Sequence, residues 1–234
     1  NINNKKHMRT KALILSAAFG AVSIATSMAQ VYSVNGVGYT TLDLPGGFSM
    51  IANQLNNGDN NLNTVIPTAP IGSTIGKWDN GTQSFLPDDT FFGPAYGGWV
   101  DAGFAPTATT LSPGEGAFIN MAGPGAITLV GEIPQGDLTV PIGPFFNIVS
   151  QPTPPAAGVA ATGLPASVGD VISFWDNTTQ SFEGDLTYFG PAYGGWVDTA
   201  FTPVDPTPAV GESFYYNSAA PSSVDWNRTF SIND

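Results

Sequence analysis

Cysteine is absent, histidine occurs once and basic residues number six among 234, and these scarcities exclude more than any motif admits. With no thiol there is no disulfide, no lipidated cysteine and no thiolate nucleophile or metal ligand. Stability must come from core burial. The lone histidine, His7, sits near the N-terminus with Lys5, Lys6, Arg9 and Lys11. Beyond residue 29 only two bases, Lys77 and Arg228, face all eighteen acids, a net charge near −16. So negative a surface repels phosphate backbones and anionic headgroups, which argues against nucleic acid and membrane insertion as partners. No cofactor is called for, with calcium the one ion such acidity would suit.

Residues 1–29 predict an export leader. Lys5, Lys6, Arg9 and Lys11 form a basic start, residues 12–26 an apolar run, and Ser27-Met28-Ala29 a small-x-small cleavage site. Cleavage is expected after Ala29, giving a secreted protein, extracellular or at the cell surface, with the periplasm as the alternative compartment. Met8 is the expected start, making residues 1–7 upstream sequence. The apolar run is interrupted by Ser16, Gly20 and Ser23 and is short for a span of about 20 residues.

What the chain has in plenty is self-similarity. FGPAYGGWVD stands at 92–101 and again, letter for letter, at 189–198. The same spacing pairs Trp78 with Trp175, Gln83 with Gln180, Phe85 with Phe182, Gly114 with Gly211 and Glu115 with Glu212. Upstream, residues 44–51 align with 142–149 at one residue more, and the slack falls between Phe48 and Trp78. That interval holds the Asn-rich run 56–63 in the first copy and the Pro- and Ala-rich 152–162 in the second. Two units are expected, at 31–134 and 135–234, with residues 130–136 as the crossing.

Both units read as β structure. There are 28 glycines and 20 prolines, charged residues are 10%, and short β-branched or aromatic runs alternate with turn residues. Strands are predicted at 31–37, 40–44, 49–54, 74–78, 83–86, 98–101, 117–121 and 127–133, and again in the second copy. The expected fold is all-β: two tandem homologous units, sandwich- or barrel-like, packed closely. Asp79-Asn80-Gly81-Thr82 predicts a type I′ hairpin through Asn-Gly, although Thr178 stands for Gly81 in the second copy. Strand 31–37 is expected either to pair with the terminal run 226–232 or to offer its edge to a neighbouring molecule.

Candidate site residues are few. Tyr96, Trp99 and Asp101, with Tyr193, Trp196 and Asp198, are expected either to build flat sugar-binding platforms in surface loops or to serve as core anchors; Gln83 and Gln180 are further candidates for bonding sugar hydroxyls. Exposure of the two tryptophans decides between these readings. Asp79, Asp101 and Glu115 recur as Asp176, Asp198 and Glu212, and carboxylate pairs are the route to hydrolysis that remains without histidine. No catalytic residue is assigned. Asn57, Asp59 and Asn61 alternate loosely like a calcium loop, but the pattern lacks the closing Glu and is missing from the second copy. Asn80-Gly81-Thr82, Asn177-Thr178-Thr179 and Asn227-Arg228-Thr229 match the glycosylation pattern, here read as turn chemistry.

VYSVNGVGY at 31–39, GGFSMIANQLN at 46–56, VGEIPQG at 130–136 and WNRTFSI at 226–232 together resemble a group of secreted two-unit β proteins of Verrucomicrobia-like and planctomycete-like bacteria. That resemblance spans nearly the whole chain beyond the leader. It implies export and a two-unit β design, and carries over no functional residue. The expected role is structural or adhesive and non-catalytic, at the cell surface or in extracellular matrix, through self-association or a cell-surface glycan. A glycan-binding module is the alternative, and a carboxylate-dependent glycoside hydrolase the third reading.

Overall fold

The computed structural model describes residues 36–232. The expected leader, its cleavage site and most of the strand expected at 31–37 lie outside the described residues. From Gly36 onward the chain is one compact body, nearly all β, and its two repeats share one plan.

Repeat 1 runs β1 (Val37–Leu44), β2 (Gly47–Ala52), the single helical turn α1 (Leu62–Val65), β3 (Thr74–Gly76), β4 (Trp78–Asp79), β5 (Ser84–Phe85), β6 (Asp89–Phe91), β7 (Trp99–Val100), β8 (Gly116–Met121) and β9 (Gly125–Glu132). Repeat 2 follows with β10 (Gly136–Ile142), β11 (Phe145–Val149), β12 (Val171–Ser173), β13 (Trp175–Asp176), β14 (Ser181–Phe182), β15 (Leu186–Gly190), β16 (Gly195–Val197), β17 (Phe214–Ser218) and β18 (Val224–Phe230). Each repeat builds a five-stranded antiparallel sheet, ordered β2-β8-β3-β6-β7 in the first and β11-β17-β12-β15-β16 in the second. Its first and last strands pair into a separate ribbon, β1 with β9 and β10 with β18. A two-residue-per-strand hairpin, β4-β5 or β13-β14, projects from the sheet of each.

In the ribbons, side chains alternate between core and solvent. Along β9 Ile127 and Leu129 turn inward while Ala126, Thr128 and Val130 face out, and the inward residues join Ile75, Trp99, Ile119 and Met121 in one buried cluster. Repeat 2 repeats this with Ile172, Trp196, Phe214, Tyr216 and Trp226. Among the described residues the terminal run pairs with β10 of its own repeat; the strand expected at 31–37 lies mostly outside them, so its pairing is not described.

Two further expectations are corrected. Residues 89–91, unassigned to a strand by sequence, form β6, because Asp89 and Phe91 are buried against the sheet. The turn after β4 is not an Asn-Gly type I′ turn: the left-handed residues are Gln83 (φ 53°) and Gln180 (φ 54°), and Gly81 does not adopt positive φ. Asp79 accepts from Gly81 N–H and from the Thr82 hydroxyl, and Asp176 does the same for Thr178 and Thr179. Thr178 is thus tolerated where Gly81 stands.

Trp99 is fully buried and its indole N–H donates to Ile66 O at 2.7 Å. In repeat 2 the Tyr216 hydroxyl bonds both Pro165 O and the buried Asp170 carboxylate; burial, and then that carboxylate, push the phenol far above its usual range. Trp99→Ala is expected to cost about 3–5 kcal/mol in equilibrium denaturation, the usual range for a large aromatic emptied from a core. Tyr216→Phe should cost about 1–3 kcal/mol, since it leaves a buried carboxylate short of one donor.

Candidate functional site

The repeated decamer is scaffold at its centre and surface at its tip. Gly93, Gly97 and Gly98 have positive φ, as do Gly190, Gly194 and Gly195, and a one-turn 3-10 helix, Pro94–Tyr96 or Pro191–Tyr193, lies between them. Three left-handed positions and a proline at the helix start account for the identical letters. Trp99 and Trp196 are 0% and 4% exposed. Their rings are core and cannot form the platform set against that reading in the sequence. Asp101 and Asp198 accept backbone N–H groups of Gly103 and Ala105, and of Ala200 and Thr202, so they hold the next turn. Tyr96 and Tyr193 are exposed at the tip, apart from those tryptophans.

The aromatic surface lies instead where the repeats meet. Gln83 accepts Phe146 N–H at 3.0 Å and donates to Phe146 O at 3.1 Å; Gln180 accepts Phe48 N–H at 2.7 Å and donates to Phe48 O at 2.9 Å. Trp78 Nε1 donates to the same Phe146 O at 2.8 Å, and Trp175 Nε1 to Phe48 O at 2.9 Å. Each hairpin thus grips the edge strand of the other repeat. The glutamines expected to bond sugar hydroxyls bond backbone here, because their left-handed conformation turns the side chain back across the junction. Turns complete the exchange: Ala52 N–H donates to Gly211 O, and Ser150 N–H to Gly114 O.

Around that junction, four pairs of equivalent aromatics form a continuous cluster: Phe48 and Phe146, Trp78 and Trp175, Phe85 and Phe182, Phe118 and Tyr215. Rings cross between repeats edge to face, Phe118 with Trp175 at 5.3 Å and Trp78 with Tyr215 at 5.9 Å. The cluster is not sealed. Phe48, Phe85, Phe146 and Phe182 are each 40–46% exposed, far above what a core phenylalanine shows.

Two clefts open beside it. One, of about 490 Å³, is walled by Phe48, Phe85, Phe118, Trp175 and Phe182, with Asp88 and Asn120 at its polar side. Its counterpart, about 340 Å³, has Phe146, Phe182 and Tyr215, with Asp185 and Asn217. The Asn120 and Asn217 amides and the Asp88 carboxylate have no hydrogen-bond partner among the described residues; Asp185 accepts from the Ser173 hydroxyl at 2.5 Å. Of these residues the sequence paired Trp78 with Trp175 and Phe85 with Phe182, and aligned Phe48 with Phe146 within 44–51 and 142–149. The signal that finds the rest is the repeat spacing itself, which also pairs Asp88 with Asp185 and Asn120 with Asn217.

The recurrent carboxylates are occupied elsewhere. Hydrogen bonds from Gly81 and Thr178 hold Asp79 and Asp176 below the usual carboxylate range. Glu115 pairs with Lys77 at 2.9 Å and accepts Ser112 N–H. Phe174 stands where Lys77 would recur, so Glu212 has no such cation; burial raises it, against a bond from Ala209 N–H and with a small push from Glu183. In the proposed calcium loop, the Asn57 oxygen accepts Asn60 N–H, Asp59 accepts Asn61 N–H and the Thr64 hydroxyl, and Asn61 accepts Asn63 N–H. These oxygens stabilise the loop and cap α1. No protein-family model matches the chain, and no match to it was found among curated proteins or solved structures.

Because Glu212 binds its proton more tightly folded than unfolded, its contribution favours the folded state below the unfolded value and is lost as pH rises through the folded one. Glu212→Gln is expected to raise the melting temperature at pH 7, and the gain should vanish near about pH 4. Thermal melts of both proteins at the two pH values check this.

Proposed function

We propose that this chain is an exported, non-catalytic binding protein that holds neutral glycans in the twin aromatic clefts at its repeat junction, in an adhesive role at a cell surface or in a matrix. The observation that carries the reading is the pairing, in both clefts, of half-exposed aromatic faces with an unpartnered asparagine amide and a nearby carboxylate. A pyranose ring needs just such partners: its C–H face packs against an aromatic ring, and its edge hydroxyls need a donor and an acceptor side by side. A carboxylate in each cleft, within a strongly negative chain, disfavours sulfated and uronic sugars.

The lack of a free general acid and base pair among the recurrent carboxylates supports binding without hydrolysis, since those carboxylates serve turns or, for Glu115, also an ion pair. A second reading, self-assembly, is supported by the loop tips. Ile71, Tyr96 and Phe104 in repeat 1, and Val168, Tyr193 and Phe201 in repeat 2, are all 66–77% exposed, and Phe104 and Phe201 are both held at positive φ.

A glycan array followed by titration tests the proposal. Neutral hexopyranose chains should bind and sulfated or uronate chains should not. Asn120→Ala and Asn217→Ala should each weaken binding about tenfold, the loss of one hydrogen bond, while stability stays within about 0.5 kcal/mol. An array without a neutral binder, or a double variant that binds as well as the parent, would reject the clefts as the site. Concentration-dependent sedimentation that Phe104→Ser and Phe201→Ser abolish would favour assembly instead.

A further inference from the structure

The two repeats differ where one of them carries a plug. In repeat 1, Asn63 on α1 lies against β7. Its side-chain oxygen accepts Trp99 N–H at 2.7 Å and its amide donates to Trp99 O at 3.1 Å. The Trp99 indole N–H is satisfied by Ile66 O. In repeat 2 the equivalent turn is fixed by Val159 N–H, which bonds Pro206 O as Leu62 N–H bonds Thr109 O. That register places Ala160 where Asn63 stands.

Alanine supplies neither donor nor acceptor, and the groups that Asn63 serves are left open. Trp196 pairs with Tyr188 as Trp99 pairs with Phe91, so its backbone N–H points off the ladder toward Ala160. Neither that N–H nor the Trp196 indole N–H has a partner among the described residues. Trp196 O accepts Val204 N–H at 2.9 Å, as Trp99 O accepts Thr107 N–H while also accepting from Asn63. The space is a cavity of about 710 Å³ lined by Ala160, Leu164, Tyr188, Trp196, Pro203 and Asp205. The indole N–H is not sealed in the core but opens on this cavity, where water or a bound group can partner it.

We propose that this cavity binds a peptide segment through an asparagine side chain, which takes in repeat 2 the place that Asn63 holds in repeat 1. The planar carboxamide alone presents an acceptor to Trp196 N–H and a donor to Trp196 O together. A carboxylate is disfavoured, since it lacks the donor and meets Asp205 at the rim. The volume exceeds one side chain, and the apolar walls of Leu164, Tyr188 and Pro203 suit the flanks of a peptide rather than a free small amide. This site is separate from the junction clefts and does not depend on the glycan reading.

The test is a nitrogen-proton NMR titration of the intact chain with acetyl-Leu-Asn-Thr-Val-amide, the sequence of α1. At about 1 mM peptide the Trp196 indole and backbone N–H resonances should shift and the Trp99 indole should not. The Ala and Asp versions of the peptide should bind at least about tenfold more weakly, one hydrogen-bonded pair being lost. Ala160→Asn should move the Trp196 N–H without peptide and reduce the peptide response by the same factor. No shift at Trp196, equal shifts with the Ala peptide, an equal response to acetamide, or full binding in a folded Ala160→Asn variant would overturn the proposal. If that variant does not fold, the peptide series decides.

Discussion

The grip of each glutamine on the opposite repeat is the constraint on which the rest depends. Gln83 and Gln180 are held in left-handed conformations that cost a non-glycine residue about 1–3 kcal/mol. The structure offsets that cost with two backbone hydrogen bonds across the junction at each end. Close approach is enforced around them. A Cβ on Gly114 would lie 2.4 Å from Val140, one on Gly211 would lie 2.5 Å from Leu42, and one on Gly116 would strike Ser213. Leu42 and Val140 occupy equivalent places in the two ribbons, so the packing is reciprocal at every level from turn to strand.

Reciprocity explains why eight aromatic rings lie at the surface without exposing a random apolar patch. Each hairpin must cross to the other repeat, and the rings that flank the crossing cannot retreat into either core. They pack edge to face on one another, and leave one side open to solvent. Asn120, Asn217 and Asp88 stand at that open side unpaired. Patches of this kind on a soluble protein mark contact sites more often than accidents of packing.

Much of the architecture was legible in the sequence because the repeat spacing and the short β-branched or aromatic runs between turn residues are local signals. The all-β fold, most strand positions and the duplication follow from that pattern. The candidate site was less legible, for a physical reason: FGPAYGGWVD is conserved between copies through its glycine dihedrals and its buried tryptophan, whereas the open clefts draw on residues scattered from Phe48 to Asn217 that meet only when the repeats dock. Asn-Gly likewise suggested a turn type that the junction overrides, since the left-handed residue must be the glutamine that reaches across. The empty slot beside Trp196 is visible only by superimposing one repeat on the other, because Ala160 says nothing by itself.

Hydrogen exchange at two amides tests the central claim most directly. Phe48 N–H and Phe146 N–H, each on an edge strand and partly exposed, are bonded to a glutamine of the opposite repeat. Both should exchange slowly, with protection close to that of the interior strands β8 and β17, and Gln180→Ala should release Phe48 while Gln83→Ala releases Phe146. Fast exchange of both amides in the parent protein, or protection that survives either substitution, would contradict the reciprocal junction and the clefts built on it.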